Sequence, residues 1–472
     1  MEQRARRFLA NFTILVAGDL GAKLLLFWAT VRMAHVLGTE RFGEVAFAAA
    51  FAAYFLLLIG QGLGIYGTQE LARNPARVRE FAGRILTLRL AAGMVAAIAL
   101  ALVVWLLKKP PEVKLLLLYY GLLFFPAAMA LNWVFQAFEQ MKVVATAIFL
   151  TQLVFAVCVL TFLDSAAQFT WIPIFQFAGE AAAVLFLLYC YVRQFGAIRL
   201  SFSLQDWWGM LRESLPIGIS VALGMVLYNF DVVLMGFMKP PAEVGQYSAA
   251  YRYISFFATF LALYSTNLFP TVSRCRNDPS MLRRISDRSL KYTLALSIPL
   301  AAGGTLVARP LMEMVFGPQF SGGAAALRIL LWIIPIMASR TVYRSTMLSH
   351  GLQKDYLWIV LSAAVANTVL NLLLIPRYSY LGAASTTLIC ELLVLVLAYE
   401  TVARKVVRLA LVPHVWRPFA ACIPMGAFLL WNQGSHLVPL IAGGFAIYVI
   451  SAWAVRAINP RDVWKEIRGP AR

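Results

Sequence analysis

Seven of the 41 Lys and Arg residues sit inside apolar runs long enough to cross a bilayer: Lys23, Arg32, Arg89, Arg252, Arg328, Arg340 and Arg344. Four acids lie well away from the run ends: Asp19, Glu180, Asp231 and Glu391. A charge at the centre of such a helix costs about 2.5–3.5 kcal/mol or more unless it meets a partner or a hydrated cavity. Each is therefore a candidate for substrate binding, ion coupling or counter-charge. Asp19 lies one turn before Lys23, on the same helix face. Arg32 falls on the opposite face, close enough to the end of its run to reach the headgroups, and Arg89 and Arg328 also lie near run ends. Arg340 and Arg344 share a face and repel each other unless an anion sits opposite. With Lys23 they are the leading anion-binding cations, followed by Arg252 and Arg89. Glu180 and Glu391 lie at equivalent depths of two inward-running helices, where a carboxylate serves as a proton or sodium site or as a counter-ion. Asp231 and Arg252 flank a Lys-Pro-Pro turn at similar depth, so a helical hairpin would pair them. Asn367 and Asn371 share one face and read as interhelical hydrogen-bonding groups. No catalytic Ser/His/Asp grouping and no metal-ligand spacing is visible. Four of the five cysteines lie in apolar runs and none has CxxC spacing, which argues against a disulfide framework or zinc site as the organising feature.

The elements that must position these residues follow from composition. The chain is 61% hydrophobic and only 13% charged over 472 residues, about half the charged fraction of a soluble protein. Runs of about 20 apolar residues recur from end to end, each able to cross ~30 Å of hydrocarbon. This predicts an all-α polytopic membrane protein with fourteen transmembrane helices, near 10–34, 44–66, 85–107, 114–137, 143–163, 171–192, 214–237, 248–271, 291–308, 324–349, 357–375, 381–402, 415–432 and 437–457. A β-barrel would show short alternating segments instead. Of the basic residues outside spans, 27 fall on one side and 7 on the other. That asymmetry places both termini in the cytoplasm. It also assigns the net charge of +19 to loops beside anionic lipid, not to nucleic acid. The basic start, MEQRARRFLANF, reads as an uncleaved first helix.

The chain also repeats itself. Leu37-Gly38, Phe42-Gly43 and Ala48-Ala49 are echoed by Met235-Gly236, Val244-Gly245 and Ala249-Ala250, and aligning Gly43 with Gly245 gives an offset of 202 residues. We read 1–200 and 214–402 as pseudo-symmetric six-helix lobes joined by an interfacial linker at 201–213. Residues 403–472 add a helix pair and a basic tail. Repeat-built transporters bind substrate between such halves.

Four stretches then match one family: Ala34–Gly43 (AHVLGTERFG), Trp133–Lys142 (WVFQAFEQMK), residues 215–252, and 366–391 (ANTVLNLLLIPRYSYLGAASTTLICE). In this order they resemble the Wzx-type oligosaccharide flippases of the MOP superfamily, over roughly the first 400 residues. The resemblance implies alternating access and movement of undecaprenyl-pyrophosphate-linked oligosaccharide across the cytoplasmic (inner) membrane, without catalytic residues or a cofactor beyond H+ or Na+ coupling. Anionic lipids and polysaccharide polymerase or export machinery are the implied partners. Many members have twelve spans, so the last pair is a departure. A multidrug exporter of the same superfamily would favour an acidic, aromatic cavity, whereas these spans hold more bases than acids. A polysaccharide ligase or polymerase would carry a large outer loop, and none exceeds about fifteen residues.

Overall fold

The computed structural model describes residues 2–60, 62–432, 434 and 436–457, with side chains for all of these except 2–17 and 220–228. The basic tail residues Arg461, Lys465, Arg468 and Arg472 lie outside the described residues, as do the side chains of Arg4, Arg6 and Arg7. Seventeen α-helices follow in order: α1 (Glu2–Gly60), α2 (Leu63–Arg73), α3 (Val78–Leu106), α4 (Pro111–Gly121), α5 (Phe124–Met129), α6 (Asn132–Ala137), α7 (Met141–Phe162), α8 (Ile172–Phe195), α9 (Leu204–Met238), α10 (Pro241–Arg274), α11 (Pro279–Leu306), α12 (Ala308–Phe316), α13 (Ala324–Leu330), α14 (Ile333–Ser349), α15 (Gln353–Lys405), α16 (Leu411–Trp431) and α17 (Leu437–Ala454). No strand occurs among the described residues. Lipid leaves only helices or closed barrels as spanning structures, because each backbone polar group must be satisfied internally.

The helices make the expected fourteen passes. Gly38 (φ 68°, ψ −179°) divides α1 in two, and Ser379 (φ 52°, ψ −133°) divides α15. The short helices α4, α5 and α6 form one interrupted pass, and α13 continues into α14. The chain bends by 81° between α11 and α12. Five of the long helices, α9, α10, α11, α15 and α16, carry internal prolines: Pro216, Pro270, Pro299, Pro376, and Pro418 with Pro424.

Two compact units result, Met1–Gly245 and Gln246–Arg472. In the first, α1 packs on α3, α7 and α9, and α7 on α8. Small residues allow the close approach: a Cβ on Gly18 would lie 3.1 Å from that of Ala145. Segment 201–213, expected as a linker, is built into this unit. Trp207 donates its indole N–H to Thr87 Oγ1 (3.3 Å), Thr87 donates to Ser201 O (2.8 Å), and Arg84 pairs with Asp206 (3.3 Å). From Leu204 the helix runs on without a break through the seventh pass, while Leu204 and Trp208 stay exposed, as an interfacial apolar face would.

The internal repeat is visible as a reciprocal contact. A Cβ on Gly43 would collide with the carbonyl oxygen of Pro241, and one on Gly245 with that of Thr39. Thr39 and Pro241, like Gly43 and Gly245, are 202 residues apart. The echoed glycines are therefore mutual packing surfaces, each admitting its counterpart's backbone. In the second unit, α11 packs on α14 and α16, and α16 on α17. The Tyr448 hydroxyl of α17 donates to Ala295 O of α11, which ties the last helix pair into this unit.

Candidate transport site

In the first unit Lys23 and Asp19 form a 2.9 Å ion pair on α1, both partly exposed. Arg32 reaches outward from the same helix to Leu163 O (3.1 Å) and Asp164 (3.3 Å) in the turn after α7. Arg89 of α3 turns inward. Its guanidinium donates to Ala127 O (2.7 Å) and Ala130 O (2.9 Å), carbonyls freed where α5 stops and α6 starts. A cation at a helix C-terminus is favoured by the partial negative charge there. Asp231 is buried on α9, and its Oδ1 accepts from the Val232 amide (2.8 Å). Glu180 of α8 lines a cavity of about 140 Å³ together with Asn132, Thr151 and Gln152.

In the second unit Arg340 (α14) pairs with Glu391 (α15) at 3.2 Å, with side chains only 16% and 13% exposed. The anion that the Arg340/Arg344 face calls for is thus a residue of the same unit. Arg344 is exposed and stacks over Tyr356, 5.9 Å from the ring centroid. Arg252 is also exposed. Since Asp231 and Arg252 belong to different units, their pairing stays an expectation. Asn371 donates to Asn367 Oδ1 (3.0 Å), and both are buried. The bond closes within one helix, leaving Asn371 Oδ1 without a partner among the described residues.

Two features were not legible beforehand. Asn132, Thr151 and Gln152 join Glu180 only because α6, α7 and α8 converge. An apolar cavity of about 300 Å³ opens among α10, α11, α12, α13, α16 and α17, lined by Tyr253, Phe257, Pro299, Leu331, Met425 and Phe445. Two of its lining residues, Leu296 and Phe445, are exposed apolar side chains. Outside the spans, burial holds the Lys109 ammonium below its ordinary pKa, and it donates to Gly236 O (2.6 Å). The Asp278 carboxyl is held below the usual carboxylate range by hydrogen bonds from Ser280 and the Met281 amide.

Comparisons with known proteins accord with this architecture. Residues 8–276 match the family described as "Polysaccharide biosynthesis protein", and 216–373 match the MatE family. The probable flippase AglR of Haloferax volcanii is 26% identical over 204 residues, 42% of this chain; the match spans only 43% of that relative's length. A putative O-antigen transporter of Escherichia coli (strain K12) is 21% identical over 77% of this chain and 88% of its own. Among solved structures, the lipid II flippase MurJ in an inward closed conformation aligns with a TM-score of 0.76 at 12% identity, covering 96% of this chain and 100% of that one. An inward-facing multidrug MATE transporter of the MOP superfamily aligns at 0.64 and 12% identity, over 82% and 98%. The structural likenesses show the fold, and the sequence match over more than half the residues shows the family: this multi-pass membrane chain belongs to the polysaccharide biosynthesis protein family.

Proposed function

We infer that the protein is a flippase that carries lipid-linked oligosaccharide across the membrane by alternating access, without covalent chemistry. The observation that carries this reading is the match to an O-antigen transporter over most of both chains. The apolar cavity beside α16 and α17 adds physical support, because a polyprenyl tail needs an apolar berth at a lipid-exposed edge. Undecaprenyl pyrophosphate is the carrier we assign. Lys23, Arg340 and Arg344 are the cations we assign to its phosphates, and Arg252 lies behind them in rank; Arg89 drops out because its guanidinium is held by the Ala127 and Ala130 carbonyls. Lys supplies a point charge and Arg a bidentate donor. The inner membrane, cytoplasmic termini and contact with polymerase or export machinery complete the proposal.

Complementation of a flippase-deficient strain tests it. Wild type and Arg32→Ala restore surface polysaccharide, whereas Lys23→Ala and Arg344→Ala at equal membrane levels do not. Each lost charge-assisted contact is worth about 1.5–3 kcal/mol, or about one to two orders of magnitude in binding. The MatE match favours drug export as a second reading. Resistance to cationic drugs without restored polysaccharide would establish that reading instead.

A further inference from the structure

The outer end of α9 is fastened differently from its inner end. Inside, several bonds act together on the helix and the segment leading into it: Trp207 on Thr87, Thr87 on Ser201 O, and the Arg84–Asp206 pair. Close backbone packing adds to them, since a Cβ on Gly62 would lie 2.5 Å from Ser214 O. Outside, the sequence itself removes bonds. Lys239-Pro240-Pro241 follows the last turn of α9. In a continuing helix the amides at 240 and 241 would bond to the carbonyls of Gly236 and Phe237, but proline has no N–H. Lys109, from the turn 107–110 between α3 and α4, supplies one missing donor: its Nζ donates to Gly236 O (2.6 Å). The ammonium also lies over two rings, 5.3 Å from the centroid of Phe47 and 5.7 Å from that of Phe237. Those rings pack edge to face at 5.2 Å. Glycine at 236 permits this approach, because a Cβ there would stand 2.0 Å from the Phe47 ring. One side chain thus joins three elements of the first unit: the α3–α4 turn, the second half of α1 and the end of α9.

Two effects oppose each other at this contact. A cation at a helix C-terminus is favoured by the partial negative charge there, and a charge-assisted hydrogen bond is stronger than a neutral one. Burial, however, disfavours the ammonium, and Glu44, the acid whose charge reaches it, is engaged by Arg41 (2.9 Å). A single flexible side chain carries the bond, so it can break while the neighbouring helices stay packed. We propose that Lys109 is a releasable latch that holds the outer end of α9 against α1, and that this end comes free when the Lys109–Gly236 bond breaks. The use of the latch in carriage rests on the alternating-access reading. Its existence does not, so the test reads the backbone and not transport.

Hydrogen exchange is followed on the full-length protein in lipid nanodiscs, comparing the amides of Phe237, Met238 and Lys239 with those of residues 208–212 at the inner end. In wild type the outer amides should exchange faster than the inner ones. Lys109→Met keeps an apolar stem over the rings and deletes the charge and the donor. It should speed the outer amides about tenfold, as loss of one charge-assisted hydrogen bond implies, and leave the inner ones unchanged. Lys109→Arg retains a charge and donors and should return the outer rate towards wild type. Lys108→Met, at the exposed neighbour in the same turn, is the control and should match wild type. Should Lys109→Met fold poorly, Lys109→Gln keeps a neutral donor and should give an outer rate between those of wild type and a latch-free helix end. Outer amides as protected as the inner ones in wild type, or unchanged outer exchange in both Lys109→Met and Lys109→Gln, would overturn the latch. So would an equal rise at both ends of α9 in Lys109→Met, since Lys109 would then be a static brace of the whole unit.

Discussion

At the residue scale, the Arg340–Glu391 pair shows how a charge is tolerated at membrane depth. Each group desolvates against the other, so removing one leaves an uncompensated charge at a cost of about 3–5 kcal/mol, while replacing both with apolar residues comes close to neutral. Arg340→Ala and Glu391→Ala should each lower the melting temperature sharply. The pair Arg340→Met/Glu391→Leu should recover most of it, and additive losses would count against a direct coupling. Arg89 makes a different kind of contact. Arg89→Met should expose the carbonyls of Ala127 and Ala130 and speed hydrogen exchange at the α5–α6 break, leaving exchange in α7 unchanged.

At the element scale, helix breaks depend on one residue each. Gly38 has φ 68° and ψ −179°, a region essentially restricted to glycine, and beyond its own stretch of chain no atom lies within 4 Å of where its Cβ would stand. Gly38→Ala should therefore destabilise through backbone strain alone, by about 1–3 kcal/mol, read as a lower melting temperature. At Gly43 the obstacle is instead the Pro241 carbonyl, so Gly43→Ala should force α1 and α10 apart. The α11 N-terminus adds a pH dependence. Its cap, Asp278, has a folded pKa below its unfolded value, so its contribution is present above the unfolded carboxylate pKa and is lost as pH falls through the lower, folded one. Hydrogen exchange at the Ser280 and Met281 amides should quicken on that descent, and Asp278→Asn should flatten the dependence.

At the scale of the whole molecule, the fourteen passes carry an orientation that reporter fusions can read. Fusions after Lys109, Lys239 and Arg377 should report outside, and those after Arg79, Arg284 and Lys405 inside. An inversion over more than one pass would reject the cytoplasmic termini. The last helix pair is part of that frame, because α16 packs on α11 and Tyr448 bonds to Ala295 O. Tyr448→Phe should loosen the pair and raise protease access to the turn before α17.

What the sequence by itself determined was the helical class, the passes and the family. Hydrocarbon solvates no backbone group, so any long apolar run must be a helix, and that is a local property. The repeat was equally legible, because Gly38, Gly43 and Gly245 are needed for backbone reasons that side-chain variation cannot replace. What only the tertiary structure decided was the partner of each charge. Helical spacing tells which residues share a face, yet a helix can rotate about its axis, and nothing in the spacing says what that face meets. Arg340 and Arg344 shared a face as expected, but packing turned Arg340 to Glu391 and left Arg344 exposed. Arg89, a binding candidate by composition, caps a helix break that no hydropathy pattern announces. Segment 201–213 read as an interfacial linker because it falls where the two halves would join; Trp207, Asp206 and the backbone of Ser201 joined it to α3. Glu180 gained its three oxygen-bearing neighbours from two other helices converging on it, a relation that exists only in three dimensions.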